Sequence, residues 1–401
     1  MLLLTAAMAT HLAAEDWPQF RGPRGDGHSG ETDAPTSWSE TENIAWRTPI
    51  PGLGWSSPVI LGNRVWLTTA IDGGKSLRAM SFDKASGRVV VDVEVFHKEN
   101  PGSVHSKNSH ASPTPILEPG RVYVHFGAHG TACLDETGKT IWKTELHYAH
   151  GHGPAGSPIV HGGLLLLTCD GTDIQFVVAL DKATGEVRWK TSRSGRMAYS
   201  TPAVFNIGGK DQLVTTGGGA FIAYDPMSGE ELWRVRHEGY SLVPKPVLAN
   251  GLLFLCSGYD SPTLQAVRPD GKGDVTASHV AWIIKRGAPL NPSPLFVDGR
   301  LYIVSDSGIA NALEPETGKS LWQERLDGSF SASPVFAAGR IYFLDENGVT
   351  TVIEPGDKPK KLAVNEIKGR TLASLAISEG SLFLRTDAAL YRIRQKKAGA
   401  N

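Results

Sequence analysis

Eight of the thirteen histidines fall in one stretch: His97, His105, His110, His125, His129, His147, His150 and His152. Neutral imidazole is a good ligand for Zn²⁺ and Cu²⁺. His110, His129 and the pair in His150-Gly151-His152 are the ones able to converge on such an ion, with His129, His150 and His152 as the candidate metal set. No His-Glu-x-x-His run or paired-cysteine motif accompanies them, and loop histidines serve equally to hydrogen-bond backbone and water. No metal is therefore counted as secure. A second group is acidic. Asp170 and Asp173, with Asp260 and Asp306 further along, could bind Ca²⁺ or act as a general base. Asp beside Gly is also the usual way to build a tight turn. A third group, Arg196, Tyr199, Tyr240 and Lys245, suits an anionic or sugar-like ligand, and Trp55 and Tyr259 add flat aromatic surface. No phosphate-binding loop, nucleophile elbow or nucleotide fingerprint is present.

These residues are far apart in sequence, so a repeated architecture has to bring them together. Ala179-Leu180-Asp181-Lys182-Ala183-Thr184-Gly185-Glu186-Val187-Arg188-Trp189 contains its unit. An apolar strand runs into Asp-x-x-Thr-Gly, where Asp and Thr bond the turn backbone and Gly supplies positive φ, and the next strand carries Trp. The unit recurs at Tyr224–Gly229 with Trp233, at Leu313–Gly318 with Trp322, and one residue shorter at Leu134–Gly138 with Trp142. Phe82–Gly87 has the turn but Val91 in place of Trp. Each unit follows a short step into Pro, such as Ser57-Pro58, Ser157-Pro158, Lys245-Pro246 or Ser293-Pro294, and a Gly turn with an alternating apolar strand. Four strands per repeat, a to d, make a propeller blade.

Seven Pro steps give seven blades. An eighth starts at Thr371-Leu372-Ala373-Ser374 and lacks a d strand, whereas Asn43-Ile44-Ala45-Trp46-Arg47 is a d strand without a blade. Joining them closes the ring and removes two sheet edges. The expected fold is thus an all-β, eight-bladed propeller of four-stranded antiparallel blades over residues 39–396. Residues 15–38 form an N-terminal extension and residues 397–401 a tail. Trp46, Trp142, Trp189, Trp233, Trp282 and Trp322 are expected to dock between neighbouring blades. In such a ring the d-to-a and b-to-c loops share one face. Trp55, His110, His129, Asp170, Asp173, Arg196, Tyr240, Tyr259 and Asp306 lie in or beside those loops and are the candidate ligand-binding set.

The Asp-x-x-Thr-Gly-x-x-x-Trp unit resembles the repeat of pyrroloquinoline-quinone-type propellers, a superfamily that includes quinoprotein alcohol dehydrogenases and BamB-like outer-membrane assembly proteins. Asp16-Trp17-Pro18-Gln19-Phe20-Arg21-Gly22-Pro23, Asn108–Pro115 and Ser331-Ala332-Ser333-Pro334 are similar to secreted, planctomycete-type PQQ-like repeat proteins. The resemblance implies a quinoprotein-like fold and admits PQQ with Ca²⁺ as a cofactor. The quinoprotein enzymes commonly place a disulfide of adjacent cysteines against the quinone. Cys133, Cys169 and Cys256 are not adjacent and read as buried thiols, and no residue here matches the family's calcium ligands or base.

Residues 2–14 form a largely apolar, Ala-rich run that reads as the h-region and cleavage site of a secretory signal, without a basic segment ahead of it, so the true start is expected upstream. The net charge of −1 offers no electrostatic case for nucleic acid or an anionic membrane. No apolar run reaches the roughly 18–20 residues that span a bilayer. The combined expectation is a secreted or periplasmic monomer acting as a non-catalytic binding or scaffolding module for an envelope protein or a carbohydrate. The alternatives are a quinoprotein dehydrogenase oxidising alcohols or sugars, and a polysaccharide lyase or hydrolase.

Overall fold

A computed structural model describes residues 15–396; the expected signal (1–14) and tail (397–401) lie outside the described residues. The strands form eight separate sheets, each a blade. Blade 1 spans 59–97, blade 2 116–144, blade 3 159–193 and blade 4 203–236. Blades 5, 6 and 7 span 247–284, 295–325 and 335–366. Blade 8 combines Ala376–Ser378, Ser381–Arg385 and Ala389–Arg394 with Ile44–Pro49 from the start of the ring. In that closure Ile44 stands opposite Ile393, Arg47 opposite Tyr391 and Thr48 opposite Leu390, antiparallel. The sequence expectation of this pairing holds.

The repeated turn explains how blades join. Asp181 Oδ1 accepts the backbone N–H groups of Ala183 and Thr184, and Gly185 closes the turn at φ 79°. The preceding blade's Trp142 lies flat on that glycine: a Cβ at residue 185 would fall 2.5 Å from the indole. Trp142 Nε1 then donates to Lys182 O in the same turn (3.1 Å). Trp46, Trp189, Trp282 and Trp322 donate likewise to Lys84, Pro226, Pro315 and Gly356 carbonyls of the following blade, at 2.9–3.1 Å. Between these contacts the sheets bury apolar faces, as where Leu166, Val177 and Ala179 of blade 3 meet Leu213, Ile222 and Tyr224 of blade 4. Each such side chain contributes roughly 1.5–3 kcal/mol. The three cysteines are buried and free, as expected.

Trp233 departs from the pattern. It is fully buried, but its Nε1 donates to Gln212 Oε1 (2.7 Å) inside its own blade. The next blade's c–d hairpin is long there, and Gly273–Asp274 runs parallel along Trp233 and Arg234 as a fifth strand. The sequence reading did not contain this strand.

Hydroxyls at the Pro steps make a second ring inside the first. Ser57 N donates to Thr114 Oγ1, Thr114 N to Ser157 Oγ and Ser157 N to Thr201 Oγ1, each blade to the next. The relay resumes at Lys245 N and passes through Ser293, Ser333 and Ser374 back to Ser57. It is broken only between Thr201 and Lys245, where the repeat has no hydroxyl to offer.

The extension is laced across the face opposite the d-to-a loops. Trp17 pairs both ways with Ile60, Pro18 O accepts from Leu117 N, and the Arg21 guanidinium donates to Ser293 and Pro294 carbonyls. Further on, Gly27 and Ser29 pair with Phe336, and the Glu31 carboxylate accepts from Glu379 and Gly380. This strap forms a floor under the central channel.

Candidate functional site

The channel holds a cavity of about 450 Å³. Its lower wall is the hydroxyl ring, from Ser57 round to Ser374, and Phe20 of the strap enters it from the floor. Above, Trp55, Tyr199, Tyr240 and Tyr259 present aromatic surface, interleaved with Asn108, Asn291 and His152. The 98–110 loop leaves blade 1 and crosses the mouth. Its His105 N bonds His152 O, its Lys107 ammonium pairs with Glu346 of blade 7 (2.8 Å), and Ser106 O accepts from Arg370.

Of the nine residues nominated from sequence, Trp55, Tyr240 and Tyr259 line this cavity. Trp55 is nearly enclosed, with its Nε1 on Asn108 O. Tyr240 and Tyr259 exchange backbone hydrogen bonds. Arg196 stacks over the Tyr240 ring at 3.6 Å and reaches Asp260 at 3.1 Å, so it braces the rim from outside. The three aspartates are occupied elsewhere. Asp170 is buried and ion-paired with Arg193, whose Nε reaches it at 2.8 Å. Burial raises its pKa, and Arg193 opposes that shift. Asp173 caps a turn through Ala149 N and Ile174 N. Asp306, also pushed up by burial, accepts from Leu290 N and from the Asn291 backbone and side chain, and so holds a lining residue in place.

The histidines divide into two sets. His110, His129 and His150 cluster behind the cavity wall, with ring centroids 5.7 and 4.9 Å apart, the first pair tilted and the second edge to face. Burial lowers the pKa of all three, His129 to about 4. His110 and His129 are pushed down further by their neighbours' charge, so they take up protons below the ordinary imidazole value of about 6.5. His152 is elsewhere, stacked on Tyr199 and beside His105 at the cavity. Among the described residues no three His, Cys, Asp or Glu side chains are arranged to hold a metal ion.

Sequence reasoning missed Phe20, Lys107, Asn108 and Asn291. Phe20 lay in a segment read only as an extension. Lys107 and Asn108 lie in the long connection between blades 1 and 2, whose unusual length was the available signal. The steps into Pro were noted as strand starts, without the part of Ser57, Ser157, Thr201, Ser293 and Ser333 in the hydroxyl ring, and in blade 2 the ring uses Thr114 rather than Ser112.

Comparison with known proteins supports the same architecture. The polyvinylalcohol dehydrogenase of a Pseudomonas species is 24% identical over 71% of this chain and 46% of its own length. The outer membrane protein assembly factor BamB of Yersinia pestis is 26% identical over 48% of this chain and 50% of its own. The chain thus spans about half the length of these curated relatives. Among solved structures, quinohemoprotein alcohol dehydrogenase from Comamonas testosteroni superposes with a TM-score of 0.69 at 13% identity, covering 96% of this chain and 82% of that one. BamB from Moraxella catarrhalis gives 0.60 at 14%, covering 87% and 99%. These likenesses concern the fold. The family profile described as outer membrane protein assembly factor BamB matches residues 30–168, 128–239, 173–275 and 271–361 in overlapping copies. With its eight blades and their shared turn, the chain belongs to that family of PQQ-repeat propellers.

Proposed function

We propose that this propeller is a non-catalytic binding module of the cell envelope that captures a hydroxyl-rich ligand, such as a saccharide unit, in the channel mouth. One observation carries the reading: the cavity is lined by Trp55, Tyr199, Tyr240 and Tyr259 together with amides and a ring of hydroxyls, and among the described residues no Asp or Glu lines it. Aromatic faces accept the apolar side of a sugar ring, while Asn108, Asn291 and the Ser/Thr ring offer both donors and acceptors. Glycoside hydrolysis ordinarily uses a pair of carboxylates at the scissile bond. Two carboxylates touch lining residues from behind and both are occupied, Glu346 by Lys107 and Ser331 and Asp306 by Leu290 and Asn291. The envelope setting rests on the BamB relatives, named for outer-membrane assembly.

The dehydrogenase relatives favour a second reading, a quinone in the same cavity. The lining does not fit that group. Calcium is bound by oxygen ligands that ordinarily include carboxylates, the lining has none, and the three cysteines are separate and buried inside the sheets.

The test uses titration calorimetry against cello-, chito- and manno-oligosaccharides, with product analysis of each mixture. Binding by the wild-type chain should weaken at least about tenfold in Tyr240→Ala, about the loss of one good contact, with the melting temperature nearly unchanged. Sugar release, or dye-linked alcohol oxidation on adding PQQ and Ca²⁺, would overturn the non-catalytic reading. An absence of saccharide binding would overturn the ligand class.

A further inference from the structure

The break in the hydroxyl relay falls at Lys245, and the lysine side chain goes to the floor instead of the channel. It lines a second cavity, of about 360 Å³, between the inner strands of blades 3, 4 and 5 and the strap. The residue is 5% exposed, yet among the described residues its ammonium has no hydrogen-bond partner. It lies hard against Gly25 of the strap, where a Cβ would come within 2.3 Å of Nζ. An ammonium kept in so enclosed a place without an acceptor is costly unless something pairs with it.

The surrounding charges identify what is missing. Arg21, buried beside the lysine, has both terminal nitrogens bonded to the carbonyls of Asp26, Ser293 and Pro294. Asp26 is turned towards Arg24 and His28, which occupy its two carboxylate oxygens. At the outer end of the cavity His161 of blade 3 stands 3.4 Å from Asp211 of blade 4. The lysine therefore faces a like charge, and the two carboxylates that also line the cavity, Asp26 and Asp211, are directed to Arg24, His28 and His161 rather than to it. Burial first, then Arg21, lowers its pKa to about 7, while Asp26 opposes the shift. The remaining walls include Val160, Val204, Phe205 and Leu248, all half-buried and apolar.

We infer that this floor cavity binds a small organic carboxylate, with the anionic end on Lys245 Nζ and the apolar end against Val160, Val204 and Leu248. Lys245 with the apolar side chains Val160, Val204 and Leu248 beside it suits a monoanion with a hydrocarbon part. A phosphate dianion would need several convergent donors; Arg21 does not line the cavity, and Arg24, which does, has its Nε on Asp26. Binding would restore the lysine's charge, so the carboxylate carries a proton in with it above neutral pH.

The experiment uses the folded chain and sodium benzoate, with sodium chloride and sodium phosphate at equal ionic strength as controls. Benzoate should raise the melting temperature in a concentration-dependent way that neither control reproduces. Calorimetry at pH 8 in two buffers of different ionisation enthalpy should show uptake of about one proton per benzoate bound. Lys245→Met should lose both effects. Equal stabilisation by all three salts, no shift with benzoate in the wild-type chain, or proton uptake that survives in Lys245→Met would each overturn the assignment. The wild-type measurements decide the matter even if the variant does not fold. None of them involves the mouth cavity, so their outcome is separate from that of saccharide binding.

Discussion

The junction between blades 4 and 5 differs from the others in several ways at once. At five of the other seven seams a tryptophan N–H reaches into the next blade's turn, as Trp46, Trp142, Trp189, Trp282 and Trp322 do, and at all seven a backbone N–H meets the next blade's hydroxyl. At this one seam Trp233 bonds within its own blade, a fifth strand takes the place of the short turn, and Lys245 interrupts the hydroxyls. The regular seams are interchangeable units of closure. The irregular one carries individual chemistry, and the floor cavity lies beside it. A repeat protein can depart from its repeat where its neighbours already supply the ring's stability.

The most severe way to break this comparison is to remove residues 1–50. That deletes both the strap and the d strand of blade 8, leaving the edge of Ala389–Arg394 open. The loss should approach the whole stability of a typical domain, about 5–15 kcal/mol, seen as an absent or much earlier urea transition. A truncated chain melting like the full one would show that the seams alone hold the ring.

Next in size are the tryptophans. Trp322→Ala should cost about 3–5 kcal/mol in equilibrium unfolding. Trp233→Ala should cost at least as much, because it also strands the buried Gln212 amide. Replacement by Phe sharpens the contrast. At 322 it frees a carbonyl in a turn, at roughly 0.5–1.5 kcal/mol, whereas at 233 it leaves a buried acceptor unpaired, at roughly 1–3 kcal/mol. Equal costs would mean that the two seams are equivalent after all.

A last effect is on the pH dependence. His125, His129 and His237 are held near 3, 4 and 4 by burial, below their unfolded value of about 6.5. The unfolded chain takes up their protons first on acidification. Their stabilisation is therefore complete above about pH 6.5 and lost as pH falls towards 4. Lys245, at about 7 when folded and about 10.4 when unfolded, makes stability rise between pH 7 and 9, before the unfolded-state tyrosines titrate. Melting temperatures across this range should show both limbs, and Lys245→Met should flatten only the alkaline one.

The fold was legible because its information is local and repeated. Asp181 to Gly185 writes one turn, and five versions of it leave little choice of architecture. The closure was legible because Trp46 had no blade and residues 371–394 had no d strand. The fifth strand was not, since Gly273 and Asp274 look like any turn and pair only because Trp233 lies alongside. For the site, loop position grouped the nominated residues at one end of the ring, and of these Trp55, Tyr240 and Tyr259 line the cavity there. Asp170 and Asp306 show the limit. Nothing near Asp170 in sequence announces Arg193, and nothing near Asp306 announces Asn291, so their occupied carboxylates looked free.

Ring closure also sets a clock on assembly. Ile44 leaves the ribosome long before Ile393, and the two must meet for blade 8 to exist. Until then the growing chain has unpaired strand edges at both ends, the kind that recruit other chains. So distant a pairing is slow to form for topological reasons alone. Conditions that delay or trap the N-terminal fifty residues should therefore show as aggregation during synthesis, even when the finished ring is stable.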